Sequence, residues 1–156
     1  MIEWHEKKFV DLSVEELYEV FKIRAEIFVL ELEIAYVDPD NKDQKAIHVI
    51  GRKENKIVAY ARAFPPGEYY EGFSGFGRVG VDKKERGKGL GTTLVEKTIE
   101  VCLKNFTNHD IKISAQEHLE KFYIERGFVC KNERYLEEGM PHCAMYYKEK
   151  EIKENE

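Results

Sequence analysis

Most of the features that would fix a function class at first reading are absent from this chain. None of its apolar runs approaches the roughly 18 residues of a membrane-spanning helix, so no membrane segment is expected. The opening MIEWHEKKFVDL has no apolar core of a secretory leader, so no signal peptide is expected either. There are only 3 cysteines, Cys102, Cys130 and Cys143, and no CxxC pair. Three cannot all pair within one chain, so a disulfide scaffold is not expected and a reducing, cytoplasmic setting fits better. Positive charge is not in excess: 25 Lys plus Arg stand against 30 Asp plus Glu, a net charge of -5. A general nucleic-acid binder is more often basic, so nucleic acid is not an expected partner. A Walker A ending and an H-E-x-x-H pair are missing, the turn glycines at 87, 89 and 91 lack the G-x-G-x-x-G spacing of a dinucleotide fingerprint, and no metal site is expected. Internal repeats are missing too.

What is present is a 156-residue chain with 42% hydrophobic and 35% charged residues, the profile of a globular protein. One domain is expected over 1–148, followed by a charged, solvated tail at 149–156 (EKEIKENE). A chain of this size buries about two-thirds of its unfolded surface and needs no staple. A monomer or small homo-oligomer such as a homodimer is expected.

Patterning predicts a first strand over 3–10. Ser13 with Glu16 reads as a capping box, and Leu17, Phe21, Ala25 and Phe28 mark one face of a helix over about 14–29. Residues 30–45 read as an acidic working loop with a short helix at its start. Strands at 46–52 and 56–64, joined at Glu54-Asn55, read as a hairpin. A Gly-rich strand covers 75–82, the glycine-rich unit after it leads into a helix with Leu90, Leu94, Thr98 and Cys102 on one side, and a short strand covers 111–115. A helix spans about 117–126 and stops at Gly127, and a strand begins near Phe128. Residues 132–142 read as a polar loop before a last strand at about 143–148. The order is that of a mixed α/β sheet covered by helices.

The strongest chemical signal is the turn Arg86-Gly87-Lys88-Gly89-Leu90-Gly91 between a strand and an amphipathic helix. Glycines let a ligand approach bare backbone, and a helix's first turn has free N–H groups and the positive dipole end. Arg86 and Lys88, with Lys83 and Lys84, add charge. The whole suits a pyrophosphate. The bland reading is an ordinary strand-to-helix turn with basic surface residues.

The Arg86-x-x-Gly89-x-Gly91 pattern resembles the acyl-CoA pyrophosphate loop of the GNAT N-acetyltransferase superfamily. The stretch Phe122-Tyr123-Ile124-Glu125-Arg126-Gly127-Phe128 is similar to that superfamily's late helix. Residues 28–43, His48, 59–62, 77–79, 114–119 (SAQEHL) and 135–145 (YLEEGMPHCAM) resemble its ElaA-like branch, so the likeness runs over about 3–147. In the first loop the branch shows Glu-Gln-x-Cys-Pro-Tyr. Here Glu31 and Tyr36 match, whereas Leu32, Ile34 and Ala35 do not, which points to a changed acceptor preference.

The resemblance implies an α/β (α+β) GNAT fold, with a mixed sheet splayed between strands 4 and 5 and helices on both faces. It implies acetyl-CoA in the splay, with backbone of Val79, Gly80 and Val81 on the pantetheine arm. Amides of Gly87, Lys88, Gly89, Leu90 and Gly91 would hold the pyrophosphate, with Arg86 beside them. It implies Tyr123 as proton donor to the leaving thiolate, and direct transfer to a primary amine in a ternary complex. Gln116 is a candidate contact to the pantetheine arm.

Such chemistry needs a neutral amine, a stabilised carbonyl oxygen and a protonated leaving group. Glu31, Glu137, Glu138 and His142 are candidates for the base or acceptor site, each also readable as a loop contact. Tyr123 and His118 are readable as packing and capping residues. Arg62 and Arg78 are read first as ion-pair partners of the acids at 38–43 or 137–138, and second as ligand contacts. Tyr69, Tyr70 and Phe73 read as an acceptor lid, a dimer contact or simple cover. The acidic first loop favours a cationic acceptor, a small molecule or a peptide. The rival function is a non-catalytic acyl-CoA-binding or protein-interaction domain.

Overall fold

The computed structural model of the chain describes residues 1–148; the charged segment 149–156 lies outside the described residues. The elements run β1 (Glu3–Lys8), α1 (Val14–Arg24), β2 (Ile47–Lys53), β3 (Lys56–Phe64), β4 (Ser74–Val81), α2 (Leu90–Asn105), β5 (Ile111–Gln116), α3 (Glu120–Glu125), β6 (Val129–Glu137) and β7 (Met140–Tyr147). They build one 7-stranded sheet in the order β1-β2-β3-β4-β5-β7-β6. Its neighbours are antiparallel except for the parallel pair β4–β5. This is the mixed sheet the sequence leads one to expect.

Alternation along the strands sorts the two faces. Ala59, Ala61 and Ala63 of β3, with Ile111, Ile113 and Ala115 of β5, lie in the core that α2 fills with Leu94, Val95 and Ile99. The alanines let α2 approach β3 closely, and each buried aliphatic side chain of α2 contributes roughly 1.5–3 kcal/mol. On the opposite face, Ile50 and Tyr60 meet Val20 and Ile23 of α1 in a second, smaller core.

The parallel pair is short. Ser74 pairs with Ile111 and Gly75 with Lys112, and beyond that β4 and β5 diverge. Gly75 makes the approach possible, because a Cβ there would stand 2.7 Å from the Lys112 carbonyl oxygen. Next to the opening, β4 is bulged. Tyr60 and Arg62 face Gly80 and Gly77, so Arg78 and Val79 together oppose Ala61. Arg78 takes φ 51° there. Such a bulge leaves its extra residue outside the ladder.

Three expectations change. The first helix keeps α geometry only to Arg24 and continues as a π-helical segment, Ala25–Glu31, in place of a break and a short helix. Apolar periodicity does not distinguish the two windings, and π turns are common near functional sites. The expected polar loop at 132–142 is instead most of a hairpin. β6 and β7 turn at Glu138-Gly139, both at positive φ (49° and 75°), the pattern of a two-residue hairpin turn. β6 is a sheet edge and mostly exposed, so it lacks the alternation that marks a half-buried strand.

The third change concerns the cysteines. Cys130 and Cys143 are joined in a disulfide, and only Cys102 is free. Cys130 opposes Met145 and Cys143 opposes Arg134, so the bond spans a β6 bulge. That register was invisible while 132–142 read as a loop. Glu54-Asn55, by contrast, turns the β2–β3 hairpin as expected, with φ 50° and 64°.

Candidate active site

Two cavities meet at the splay. The first, about 440 Å³, is walled by Val79, Gly80 and Val81 of β4, by the glycine turn, and by Phe122 and Tyr123 of α3. Ile27, Phe28 and Leu32 close it from the π-helical segment. Each donor-binding residue expected from the sequence lines this groove except Lys88. His118 lines it as well.

The glycine turn has the form of an anion cradle. Gly87 and Gly89 adopt φ 82° and 79°, which side-chain-bearing residues rarely take. A Cβ at either would meet nothing within 4 Å, so no side chain packs on the backbone there. No side chain caps the N-terminus of α2, which leaves its first-turn N–H groups available. The neighbouring cations are less available than the sequence suggests. Arg86 donates to Glu31 from both terminal nitrogens at 2.7 Å and from Nε to the Val81 carbonyl at 3.0 Å. Lys88 donates to Glu85 at 3.2 Å, and Lys53 reaches the same carboxylate at 3.1 Å. The backbone amides of the turn are therefore less encumbered than its cationic side chains Arg86 and Lys88.

The second cavity, about 370 Å³, opens on the other side of the splay. Ser114, Gln116, Glu137, Glu138 and His142 line it, with Tyr36, Asp40, Tyr69 and Arg78 opposite. Leu32 and Ile34 line it too, so two of the three departures from the branch pattern fall on its wall, while Ala35 does not. Phe28, Leu32, Val79, Gln116, Leu119 and Tyr123 belong to both cavities.

Tyr123 is thus the titratable group at the junction. It packs against Phe76, Phe122 and Phe128, and it is 6% exposed. Burial pushes its phenol up to about 12, so it keeps its proton at neutral pH and can act as a donor. Glu137 Oε2 stands 3.3 Å from His142 Nε2, while Nδ1 of the ring lies 2.7 Å from the Met140 carbonyl oxygen. Glu31 is not brought to this place. It pairs with Arg86 beside a separate surface pocket lined by Asp82 and Lys83, and the hydrogen bonds from Arg86 hold its carboxyl below the usual range.

The acidic first loop is not free to receive a cation. Asp43 Oδ1 accepts from Arg24 at 2.6 Å and from Arg62 at 2.9 Å. Asp40 accepts from Arg62 at 2.8 Å and 2.5 Å, and Asp38 accepts from Arg78 at 2.9 Å. Arg24 Nε stands 2.9 Å from Asp38 Oδ2. Burial alone would raise the Asp40 carboxyl, but the Arg62 hydrogen bonds and charge bring it down to about 2. Three arginines neutralise three aspartates, so loop acidity is no argument for a cationic acceptor. The structural ion pairs expected for Arg62 and Arg78 are present. Arg24 escaped sequence reading because it sits in an amphipathic helix, where an arginine is ordinarily solvated. His48 joins the same cluster, with Nδ1 2.6 Å from the Tyr60 hydroxyl and Nε2 3.0 Å from the Asp43 carbonyl. Together these contacts fix the loop that walls the second cavity.

The family described as Acetyltransferase (GNAT) domain matches residues 16–149. The chain is similar to protein ElaA of Escherichia coli (strain K12), 36% identical over 147 residues, covering 93% of this chain and 95% of that protein. Among solved structures, an acyl-CoA N-acyltransferase from Pseudomonas aeruginosa superposes with TM-score 0.90 at 32% identity, covering 95% of this chain and all of that one. The crystal structure of Escherichia coli ElaA gives TM-score 0.88 at 35% identity, with the same coverage of this chain.

Proposed function

The chain belongs to the GNAT acetyltransferase family, in its ElaA-like branch, and from that premise we propose that it transfers the acetyl group of acetyl-CoA directly to a primary amine. Family membership makes it an acyl-CoA-dependent acyltransferase. The choice of acetyl donor and amine acceptor is our reading. The observation that carries it is the meeting of two cavities at Tyr123, one lined by the glycine turn and the other by Glu137 and His142.

In this reading the amides of 87–91 bind the pyrophosphate, and the backbone of Val79, Gly80 and Val81 with Gln116 aligns the pantetheine arm. The bound donor supplies an activated thioester. The amine enters the second cavity and loses its proton to His142 Nε2, where the neighbouring Glu137 carboxylate stabilises the resulting positive ring. Backbone N–H groups beside the β4 bulge face the carbonyl oxygen as it gains charge. Tyr123, kept protonated by burial, gives its proton to the departing sulfur. Holding amine and thioester together removes the need for a covalent nucleophile on the protein. Glu31 holds the Arg86 guanidinium at the edge of the donor groove, and Glu138 shapes the rim of the acceptor cavity.

The test is thiol release from acetyl-CoA with a panel of small amines and peptides. Turnover with at least one amine is expected, and Tyr123→Phe slows it by roughly 10²–10⁴-fold with acetyl-CoA affinity unchanged. Binding of acetyl-CoA without release for any acceptor contradicts the reading and leaves a binding domain.

A further inference from the structure

The face of the sheet that carries the acceptor cavity also holds a hydrogen-bonded chain extending past the reacting groups. Gln116 of β5, His142 of β7 and Tyr135 of β6 stand side by side in register. Alternation brings Ser114 and Glu137 onto the same face. The Tyr135 hydroxyl donates to Ser114 Oγ in a short hydrogen bond. Ser114 has one proton to give, and it donates it to Glu137 Oε2 at 3.3 Å. That same carboxylate oxygen is the one facing His142 Nε2. The Tyr135 ring lies nearly parallel to the imidazole, 18° between planes at 6.2 Å between centroids. With Nδ1 directed at the Met140 carbonyl, Nε2 is the nitrogen left to accept a proton.

We propose that Tyr135 and Ser114 are positioning residues for the His142–Glu137 pair. The inference rests on reading this cavity as the amine site. Glu137 is at a sheet edge, with 44% of its side chain exposed, and an untethered carboxylate there would swing between rotamers. The chain from Tyr135 through Ser114 fixes one oxygen where His142 needs it. In the step it serves, an N–H bond of the amine breaks and the proton goes to Nε2. The ring becomes positive beside a negative carboxylate, and Tyr135 and Ser114 keep their own protons. The other groups facing this pair are Tyr69 and Tyr70 from the segment after β3, Glu138 at the hairpin turn, and Arg78 with Asp40 across the cavity. None of these is altered in the test.

The experiment is a double-mutant cycle read by NMR of the His142 ring in the full-length protein labelled with ¹⁵N-histidine, at one fixed pH. Glu137→Gln is expected to shift the ¹⁵N resonance of His142 Nε2, because the carboxylate oxygen facing it is lost. In the Tyr135→Phe background the same substitution moves it by less than half as much, because the carboxylate has already lost its aim. If Tyr135→Phe does not fold, Ser114→Ala makes the same comparison. An equal shift in both backgrounds overturns the proposal, whether or not acetyl-CoA binds. Thiol release from acetyl-CoA with the amine panel reads the proposed reaction separately, and donor binding is expected to be unchanged in the same samples, since neither Tyr135 nor Ser114 lines the donor groove.

Discussion

Replacing Asp43 by alanine probes how the acceptor cavity is held. Asp43 is 3% exposed, and one of its oxygens accepts from two buried guanidiniums, Arg24 at 2.6 Å and Arg62 at 2.9 Å. Removing it leaves three arginines facing two aspartates, with one positive charge uncompensated inside the protein. Breaking a buried pair from one side costs about 3–5 kcal/mol. Against a typical domain stability of about 5–15 kcal/mol, that is a large fraction. For a chain of this length it corresponds to a fall in Tm of roughly 6–20 °C. Urea unfolding followed by the fluorescence of Trp4, the single tryptophan, measures the loss directly. The same substitution loosens the loop carrying Tyr36 and Asp40, so acceptor KM rises. The donor groove uses other residues, and acetyl-CoA affinity at low temperature stays the same. Adding Arg24→Met to Asp43→Ala costs less than the two changes separately, because the stranded charge is removed. A loss below about 1 kcal/mol for Asp43→Ala would refute the claim that this cluster is a buried, mutually dependent network.

Other perturbations follow from the same geometry. Gly75→Ala puts a Cβ 2.7 Å from a backbone oxygen that cannot rotate away, at the short β4–β5 pairing. It is expected to cost roughly 1–3 kcal/mol in urea unfolding, and a neutral result would contradict the close approach. Burial alone would raise Glu16, yet hydrogen bonds from Lys7 and Arg52 bring it to about 2, as Arg62 does for Asp40. Carboxyls depressed in the folded state give stability that is full above about pH 4 and is lost as pH falls toward 2, so the urea midpoint should drop across that window. A flat midpoint there would show that neither pair is formed. Reduction of Cys130–Cys143 opens a cross-link of sequence separation 13 and should cost about 3 kcal/mol, with Cys130→Ser equivalent and insensitive to reductant. A reductant-independent stability of the unsubstituted protein would mean the bond is not made in solution.

The sequence revealed the donor side of the site more fully than the acceptor side, and for a physical reason. A turn that exposes bare backbone at a helix start needs glycines close together in the chain, and 87, 89 and 91 supply them in one short stretch running into α2. The splay entered only through the family resemblance, since the order of strands predicts a mixed sheet but not where it opens. The acceptor side is assembled from β5, β6, β7 and two loops. Ser114, Tyr135, Glu137 and His142 come together only through strand register. Exposed edge strands are polar on both faces, so β6 beyond Lys131 read as a loop, and with it the Cys130–Cys143 alignment went unseen. Arg24 was hidden for the converse reason. It is a charged residue in a segment where charge is ordinarily solvated, and only its tertiary pairing with Asp38 and Asp43 makes it core.

The account depends most on the open amides of the turn at 87–91, and calorimetric titration of the full-length protein with acetyl-CoA tests them directly. A one-to-one binding isotherm is predicted, weakened strongly by replacing Gly89, whose φ of 79° a side chain resists. Absence of binding heat for acetyl-CoA and for every longer acyl-CoA tried would contradict it.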